Sequence, residues 1–269
     1  MSNMANTVPR FYAQFGEDRL LAQLFASNGD GACVEVGAND GITGSNTLYF
    51  EQIGWRCVLV EPNPDLAALL RTTRSAHIFE CAASRSEGSA VLQLAEGDQL
   101  AHAVSTIGND ERARASVRAH GFVSRAIEVQ TRRLDNMLVE AGISPGFEFL
   151  TLDVEGHELE ALRGFTLDRW RPRLVIVEDN TRFGDAPVRR YLAESGYLRI
   201  RRTGVNDWYA RWSDTDLVGS GRWLRYAASM LNGRALMTKH RTLARMARVP
   251  AVRRAVRTVR DMMGMARKR

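Results

Sequence analysis

The sequence has no long uninterrupted apolar run. No segment approaches the roughly 20 apolar residues that a membrane-spanning helix needs. The opening stretch, MSNMANTVPRFYAQFGED, contains no apolar core of a signal peptide. Cysteine is also scarce: Cys33, Cys57 and Cys81 form an odd count without the spacing of a metal site. These absences favour a cytoplasmic protein with buried, reduced thiols over a disulfide scaffold.

Acidic residues are nearly absent from the end of the chain. The 269 residues carry a net charge of +6 at pH 7. From Arg222 onward there are fourteen basic residues and one acid, Asp261, whereas residues 1–221 have more acids than bases. We therefore divide the chain into a helical N-terminal segment (1–30), a main domain (31–219) and a basic tail (220–269). Gln14 to Asp18 could fold over a ligand as a lid, or be an ordinary helix start.

The basic tail has an apolar stripe at helical spacing, formed by Val252, Val256, Val259 and Met263. Its arginines lie largely off that stripe, which predicts a short basic amphipathic helix. Such a helix could pack on its own domain or on a neighbour. It could also lie on the anionic inner face of a membrane, which would make the protein peripheral to it. Binding to nucleic acid phosphates is the least favoured alternative.

Strand-like and helix-like segments alternate between about residues 14 and 203. Buried strands are predicted for ACVEVG, RCVLVEP, AHIFECAAS, FEFLTLDV and PRLVIVEDN, with helices between them. GSAVLQLAEG and AIEVQTRRL are further strands, and YLRIRRTG and NDWYARW are close enough to pair as a hairpin. This order predicts an α/β fold with a mostly parallel sheet and helices on both faces. Ligands of such sheets bind at the carboxyl ends of the strands.

The glycine turn after the first strand, VEVGANDG, lacks the third glycine of the dinucleotide fingerprint G-x-G-x-x-G. Glu35 and Asp40 would repel a pyrophosphate, which disfavours an oxidoreductase. They suit a cofactor with a positive end, such as S-adenosylmethionine. Glu61 ends the second strand about 20 residues after Gly41, where an acid binds ribose hydroxyls. Three small residues after the third strand leave room for a flat base: Ala82, Ala83 and Ser84.

Several segments resemble the FkbM-type methyltransferases, which use S-adenosylmethionine. They are FYAQFGEDRLL, VEVGANDGITGSNT, GWRCVLVEPNP, TRRLDNML, FLTLDVEGHELEALRGF and LVIVEDN, over roughly residues 11–180. The hexapeptide DVEGHE is the most specific of the shared motifs. The resemblance implies a Rossmann-like class I methyltransferase fold and transfer of a methyl group, usually to an oxygen. The basic tail lies outside it.

The resemblance also implies which residues hold the cofactor. Glu35, Gly37 and Asn39 would hold its amino acid part, Glu61 its ribose, and the turn from Cys81 to Ser84 would flank the adenine. The full set of residues that we expect to bind the cofactor is Glu35, Gly37, Asn39, Gly41, Glu61, Pro62, Asn63, Ala82, Ala83 and Asp153.

The hexapeptide DVEGHE, Asp153 to Glu158, ends the fourth strand and offers two ways to activate an acceptor hydroxyl. His157 could remove its proton as a general base. Asp153, with Glu178 and Asp179 at the next strand end, could instead bind Mg²⁺ as a second cofactor. Some sugar- and macrolide-modifying O-methyltransferases have a similar acid followed by an acidic pair and bind Mg²⁺. The residues that we expect to be catalytic are Asp153, Glu155, His157 and Glu178.

Structural roles remain open for the same residues. His157 could serve simply to cap or orient the following helix. Glu158 and Glu160 could serve simply to stabilise the first turn of that helix. Glu178 and Asp179 could be a solvated strand end.

These patterns favour an O-methyltransferase that acts on a hydroxyl of a sugar, a glycan or a natural product. A nucleic acid methyltransferase is an alternative, suggested by the arginine-rich tail. Amino-methylating enzymes of that type often have an Asn/Asp-Pro-Pro-Tyr/Phe stretch after the fourth strand, where this chain has DVEGHE. A non-catalytic module that keeps only cofactor binding is a further alternative. The expected partner is a small-molecule or glycan acceptor, and the sequence does not reveal an oligomeric state.

Overall fold

The computed structural model describes residues 10–26, 29–96, 105–108, 111–180 and 186–219. The predicted basic tail, 220–269, lies outside the described residues. The strands are β1 (Ala32–Val36), β2 (Arg56–Val60), β3 (His77–Phe79), β4 (Ala82–Ala83), β5 (Gly88–Glu96), β6 (Thr106–Ile107), β7 (Val123–Arg132), β8 (Phe149–Leu152), β9 (Leu174–Glu178), β10 (Tyr197–Thr203) and β11 (Asn206–Arg211). The helices are α1 (Glu17–Phe25), α2 (Leu48–Gln52), α3 (Pro64–Thr73), α4 (Glu111–Ala119), α5 (Leu134–Glu140), α6 (Glu158–Arg163), α7 (Leu167–Trp170), α8 (Ala186–Glu194) and α9 (Thr215–Val218).

The central sheet has seven strands in the order β10-β11-β9-β8-β1-β2-β3. Strands β3, β2, β1, β8 and β9 run parallel, and β11 pairs antiparallel with both β9 and β10. The prediction of a mostly parallel sheet and of a β10–β11 hairpin is confirmed. Strand order reverses at β1, which has β2 on one side and β8 on the other. A crevice for a ligand is expected at that reversal, beyond the carboxyl ends of the strands.

The strands are apolar on both faces, because each face is covered by helices. Val34 and Val36 of β1 pack in one cluster with Leu134 of α5 and Leu162 of α6. Cys33, whose side chain points to the opposite face of β1, packs in another cluster with residues of helices α1 and α2. Successive side chains of a strand alternate between faces, so one apolar run fills two layers. The prediction of helices on both faces is confirmed.

The expected third strand, AHIFECAAS, is divided between two sheets. His77–Phe79 forms the edge strand β3 of the central sheet, whereas Ala82–Ala83 pairs with β7 in a second sheet. The prediction of one continuous strand is therefore wrong, because the chain leaves the central sheet at Glu80 and Cys81. The second sheet has four strands in the order β4-β7-β5-β6. It contains the two strands predicted in GSAVLQLAEG and AIEVQTRRL, paired antiparallel along their length.

The N-terminal segment is joined to the main domain. Leu21 and Phe25 of α1 are fully buried in a core cluster under the central sheet. Ahead of the helix, Ala13 pairs with Gly44, and the Phe15 ring lies where a side chain at Gly204 would stand. Helix α1 thus contributes to the core, while movement of Gln14 to Asp18 as a lid stays a prediction. Within the described residues, no helix combines the length and hydropathy needed to cross a membrane.

Candidate active site

The predicted site residues lie at the carboxyl ends of four adjacent parallel strands. Glu35 is near the end of β1, Glu61 directly follows β2, Asp153 directly follows β8, and Glu178 ends β9. Strand β1 pairs with both β2 and β8, and β8 pairs with β9. The fold therefore brings these four acids to one edge of the central sheet, as the sequence predicted.

The first strand end approaches the fourth parallel strand closely. Gly37 has a φ of +86°, and a Cβ atom built on it would lie 1.8 Å from the Asp153 carbonyl oxygen. Its N–H donates to the Val60 carbonyl oxygen at 2.9 Å. Only glycine combines this conformation with so close an approach. Gly37 thus fixes the turn after β1 against both neighbouring strand ends.

The Glu35 carboxylate is held by the chain segment that follows the glycine turn. Oε2 accepts hydrogen bonds from the Ser45 hydroxyl at 2.9 Å and from the Thr47 hydroxyl, and Oε1 accepts from the Asn46 N–H at 2.8 Å. The side chain is buried. Glu35 therefore organises the loop from 45 to 47, and direct contact between Glu35 and a cofactor stays a prediction.

Arg74 completes this loop and was missed by the sequence reasoning. Its guanidinium donates to the Gly41 carbonyl oxygen at 2.7 Å, to the Thr47 hydroxyl at 3.0 Å and to the Glu51 carboxylate at 2.9 Å. Gly41 packs so tightly that an added Cβ would lie 2.3 Å from Leu70 Cδ2. No sequence signal distinguishes Arg74 from the chain's many surface arginines, because its partners come from distant loops.

Glu61 is buried at the end of β2 with a backbone donor on each oxygen. The Asn39 N–H donates to Oε2 at 2.8 Å, and the Asn63 N–H donates to Oε1 at 2.9 Å. Asn39 has a φ of +51°, a left-handed conformation that asparagine tolerates well. Burial raises the pKa of Glu61 to about 7, although these two N–H groups favour its charged form. The acid is thus oriented and poised to change charge near neutral pH.

Asn63 and Pro62 follow Glu61 and lead into α3. Asn63 caps that helix, its Oδ1 accepting from the Asp65 N–H at 3.0 Å. Its Nδ2 is buried and has no hydrogen-bond partner among the residues that the structure describes. A buried unpaired donor is costly, so this amide beside Glu61 is a candidate ligand contact. Pro62 is partly exposed between them.

Ala82 and Ala83 are buried in strand β4 of the second sheet. Ala83 packs in the main core cluster, and Ala82 packs with apolar residues of the second sheet. Both methyl groups therefore have packing partners in the protein. Their predicted place beside the adenine stays a prediction.

Three carboxyl groups converge at the ends of β8 and β9. Asp153, Glu155 and Glu178 each offer an oxygen that lies within 4.8 Å of the other two. We call this trio the acid cluster. The interaction between the Asp153 and Glu178 carboxyl groups opposes the rise in the pKa of Asp153 and adds to the rise in the pKa of Glu178.

Burial and mutual repulsion raise the pKa values of the acid cluster. Burial first, and then Asp153 and Glu158, raise the pKa of Glu155 to about 8. Burial, Asp153 and Glu155 raise the pKa of Glu178 well above its usual range. Asp153 is exposed. Loss of surrounding water still raises its pKa, whereas the interaction with Glu178 opposes the rise. Asp153 is the most exposed of the three carboxyl groups, which favours it as the one that carries a negative charge.

Asp179 is not part of the acid cluster, in contrast to the expected metal-binding trio. The Arg202 guanidinium donates to its Oδ2 at 3.3 Å and to its carbonyl oxygen at 2.7 Å. Asp179 is buried in this ion pair, because consecutive residues of an extended chain point to opposite faces. The trio that the structure assembles has Glu155 in place of Asp179.

His157 lies apart from the acid cluster. Its Nε2 is 3.2 Å from the Ser84 hydroxyl at the end of β4, and it occupies the N-cap position of α6 without a side-chain capping bond. Burial lowers its pKa, the nearby Arg85 adds to this effect, and Glu160 opposes it. The imidazole is thus neutral near pH 7 and faces the second sheet. Its role as the base stays a prediction.

The chain matches the FkbM methyltransferase domain over residues 35–199. No curated protein matches it. Among solved structures, it is similar to an O-methyltransferase from Bacillus cereus in complex with S-adenosylhomocysteine. That match has 15% identity and a TM-score of 0.37, and covers 76% of this chain and 84% of that one.

Two further solved structures are methyltransferases at a comparable distance. The 1,6-didemethyltoxoflavin-N1-methyltransferase of Burkholderia thailandensis has 11% identity and a TM-score of 0.36, with coverage of 74% and 79%. The precorrin-6y C5,15-methyltransferase of Geobacter metallireducens has 11% identity and a TM-score of 0.40, with coverage of 76% and 90%. Similarity at this level does not identify an acceptor. The domain match, by contrast, covers more than half of the chain, and this chain belongs to the FkbM methyltransferase family.

Proposed function

We propose that this chain is an S-adenosylmethionine-dependent O-methyltransferase that acts on a hydroxyl of a sugar, a glycan or a natural product. Membership of the FkbM family supports methyl transfer. The observation that carries the choice of a hydroxyl acceptor is the acid cluster, whose three carboxyl oxygens lie within 4.8 Å of one another. A neutral hydroxyl must lose a proton on methylation, and carboxylates at this position are suited to accept it.

The residues at the end of β2 fit the adenosine part of the cofactor. Glu61 keeps free lone pairs on both oxygens for ribose hydroxyls, because each oxygen accepts one backbone N–H. The buried Nδ2 of Asn63, which has no partner in the described part of the chain, supplies a donor beside it. Gly37, Asn39 and Gly41 form the turn over which the rest of the cofactor would lie. When bound, S-adenosylmethionine supplies a methyl group that is already activated on a positively charged sulfur.

We assign a different role to each carboxyl group of the acid cluster, according to its pKa and exposure. Burial raises the pKa of Glu178 well above its usual range, which favours its protonated form. Asp153 is then the carboxylate that accepts the proton of the acceptor hydroxyl. Glu155, whose pKa is about 8, is mostly protonated near pH 7 and becomes available as a second base at higher pH.

A divalent cation is the second way in which the acid cluster could act. Three carboxylate ligands suit Mg²⁺, which prefers oxygen and keeps several waters. Bound to Asp153, Glu155 and Glu178, the ion would lower the pKa of an acceptor hydroxyl. Loss of activity in excess EDTA, restored by Mg²⁺, supports this mode. Full activity in EDTA eliminates it.

A nucleic acid acceptor is less well supported. The acid cluster at the reacting end would repel phosphates, and the basic residues that suggested this acceptor lie in the tail beyond residue 219. Contact of that tail with an anionic membrane remains part of the proposal for a cytoplasmic, peripheral protein. Deleting residues 222–269 should abolish binding to vesicles that contain anionic lipid, and unchanged vesicle binding refutes the contact.

The deciding experiment is a methyl transfer screen with radiolabelled S-adenosylmethionine. Cell extracts, glycans and nucleotide sugars serve as acceptors, with and without Mg²⁺, and Asp153→Asn is the inactive control. We expect label in a base-stable ether of a hydroxyl acceptor. Label in nucleic acid alone would overturn the proposal. Binding of S-adenosylhomocysteine without transfer to any acceptor would favour a non-catalytic module.

A further inference from the structure

The loop between β8 and α6 carries two members of the acid cluster on an unusual backbone. Glu155 has a φ of +52° and Gly156 a φ of +98°. The left-handed region is disfavoured for a residue such as glutamate, so contacts around it must hold it there. The orientation of the Glu155 side chain follows from this conformation.

Contacts hold the loop from two sides. From within, Glu158 Oε1 accepts the Gly156 N–H at 2.9 Å and the Val154 N–H at 3.3 Å. From outside, the Thr106 hydroxyl donates to the Glu155 carbonyl oxygen at 2.7 Å. The second contact fixes the peptide group next to the left-handed residue. This hydrogen bond therefore opposes rotation of the Glu155 backbone out of its left-handed conformation.

Thr106 belongs to the second sheet, 49 residues earlier in the chain. It lies in β6, paired with Gln93 of β5, and is buried. The Gln93 side chain also donates to the Gly108 carbonyl oxygen at 3.1 Å, which anchors β6 beyond its short ladder. A strand outside the central sheet thus reaches the loop that carries the acids.

We propose that Thr106 is a positioning residue for methyl transfer. Its hydroxyl holds the Glu155 backbone so that the Glu155 carboxyl stays beside Asp153 and Glu178. The catalytic consequence rests on the proposed function of the acid cluster, whereas the effect on the loop does not. A merely structural bond would stabilise the sheet or the loop without changing the rate of transfer.

Three variants of the full chain separate these alternatives. Thr106→Val keeps the shape and removes the hydroxyl, and Thr106→Ser keeps the hydroxyl. Thr131→Val is the matched control, because Thr131 lies in the same sheet, is equally buried at 7% exposure, and donates to the Ser86 carbonyl oxygen instead.

The first measurement is hydrogen exchange of the backbone amides in a peptide that covers residues 153–158. Thr106→Val should speed exchange there by about 5-fold, as expected when one ordinary hydrogen bond that opposes opening of the loop is lost. Thr106→Ser and Thr131→Val should match the unaltered chain. Equal exchange in Thr106→Val and Thr131→Val would overturn the proposal, whether or not an acceptor has been found.

The second measurement uses the acceptor that the radiolabel screen identifies. Thr106→Val should lower kcat by about 10-fold or more through misplacement of Glu155, with the KM for S-adenosylmethionine unchanged. Thr106→Ser should restore kcat. Faster exchange with an unaltered kcat would overturn the positioning role. If the unaltered chain transfers no methyl group, the proposed function fails separately, and the exchange result alone decides whether Thr106 holds the loop.

Discussion

Gly37 and Asp153 contact each other through their backbones. A Cβ atom at Gly37 would lie 1.8 Å from the Asp153 carbonyl oxygen and 2.9 Å from its carbonyl carbon. The turn that we assign to the cofactor and the loop that begins the acid cluster are therefore one packed unit. A change at either strand end must shift the other, because nothing flexible lies between them.

Gly37→Ala should destabilise the protein by more than the left-handed backbone at residue 37 alone explains. The left-handed φ costs about 1–2 kcal/mol for a non-glycine residue, and overpacking against the backbone adds about 1–3 kcal/mol. Gly146→Ala is the control, since Gly146 has a φ of +85° and open space around it. Denaturant unfolding of both variants measures the difference. Equal losses would mean that the two strand ends separate readily.

Asp135, in the shared motif TRRLDNML, should prove structural. Its carboxylate accepts from the Thr166 N–H at 2.7 Å, from the Thr166 hydroxyl at 2.6 Å and from the Trp170 indole at 2.8 Å. Asp135→Ala should lower the free energy of unfolding by about 2–4 kcal/mol, because several buried donors lose a charged partner. Affinity for S-adenosylhomocysteine should not change. The exposed Asp168→Ala is the control, and a similarly small loss in both variants would refute this role.

Affinity for S-adenosylhomocysteine should rise with pH up to about 7 and then level off. Burial raises the pKa of Glu61 from 4.5 to about 7, and ribose hydroxyls donate to its charged form. Below that pKa, binding must release a proton, at a cost of up to about 10-fold in affinity per pH unit. The same shift means that Glu61 lowers the stability of the unliganded protein as pH rises from about 4.5 to 7. Calorimetry between pH 5.5 and 8.5 tests this, and a flat profile contradicts it.

Asp153→Asn should reduce methyl transfer by about 10²–10⁴-fold, the usual contribution of a general base. Glu160→Gln is the control from the same segment, because Glu160 pairs with Arg85 and Arg163 instead of joining the acid cluster. Comparable losses in both variants would mean that the effect is on folding. Glu178→Gln adds a distinction: it imitates the protonated acid and should keep most activity unless a cation is bound there.

The sequence was sufficient to predict features that depend on neighbouring strands. The strand ends Glu35, Glu61, Asp153 and Glu178 follow apolar runs, and parallel strands must bring their carboxyl ends together. Features that depend on side-chain direction were not predictable in this way. Asp179 follows Glu178 in the sequence but points to Arg202, and Glu155 joins the acid cluster through a left-handed backbone.

Contacts between segments that are distant in the chain could not be predicted from the sequence either. Arg74 reaches Gly41 and Thr47, and Thr106 reaches Glu155, through folds of the chain that no local pattern encodes. Likewise, the division of AHIFECAAS between two sheets arises because β7 offers Ala82 and Ala83 a partner away from β2. A single apolar run does not indicate that the chain changes its pairing partner from one strand to another.

The most direct measurement is calorimetry with S-adenosylhomocysteine on the unaltered chain, Glu61→Gln and Glu80→Gln. Glu80 is the matched control, an acid after the adjacent strand that pairs with Arg71 on the surface. We expect the unaltered chain and Glu80→Gln to bind equally, and Glu61→Gln to bind more weakly by about 1–3 kcal/mol. No binding by the unaltered chain, or equal binding by all three, would contradict the cofactor site at the ends of β1 and β2.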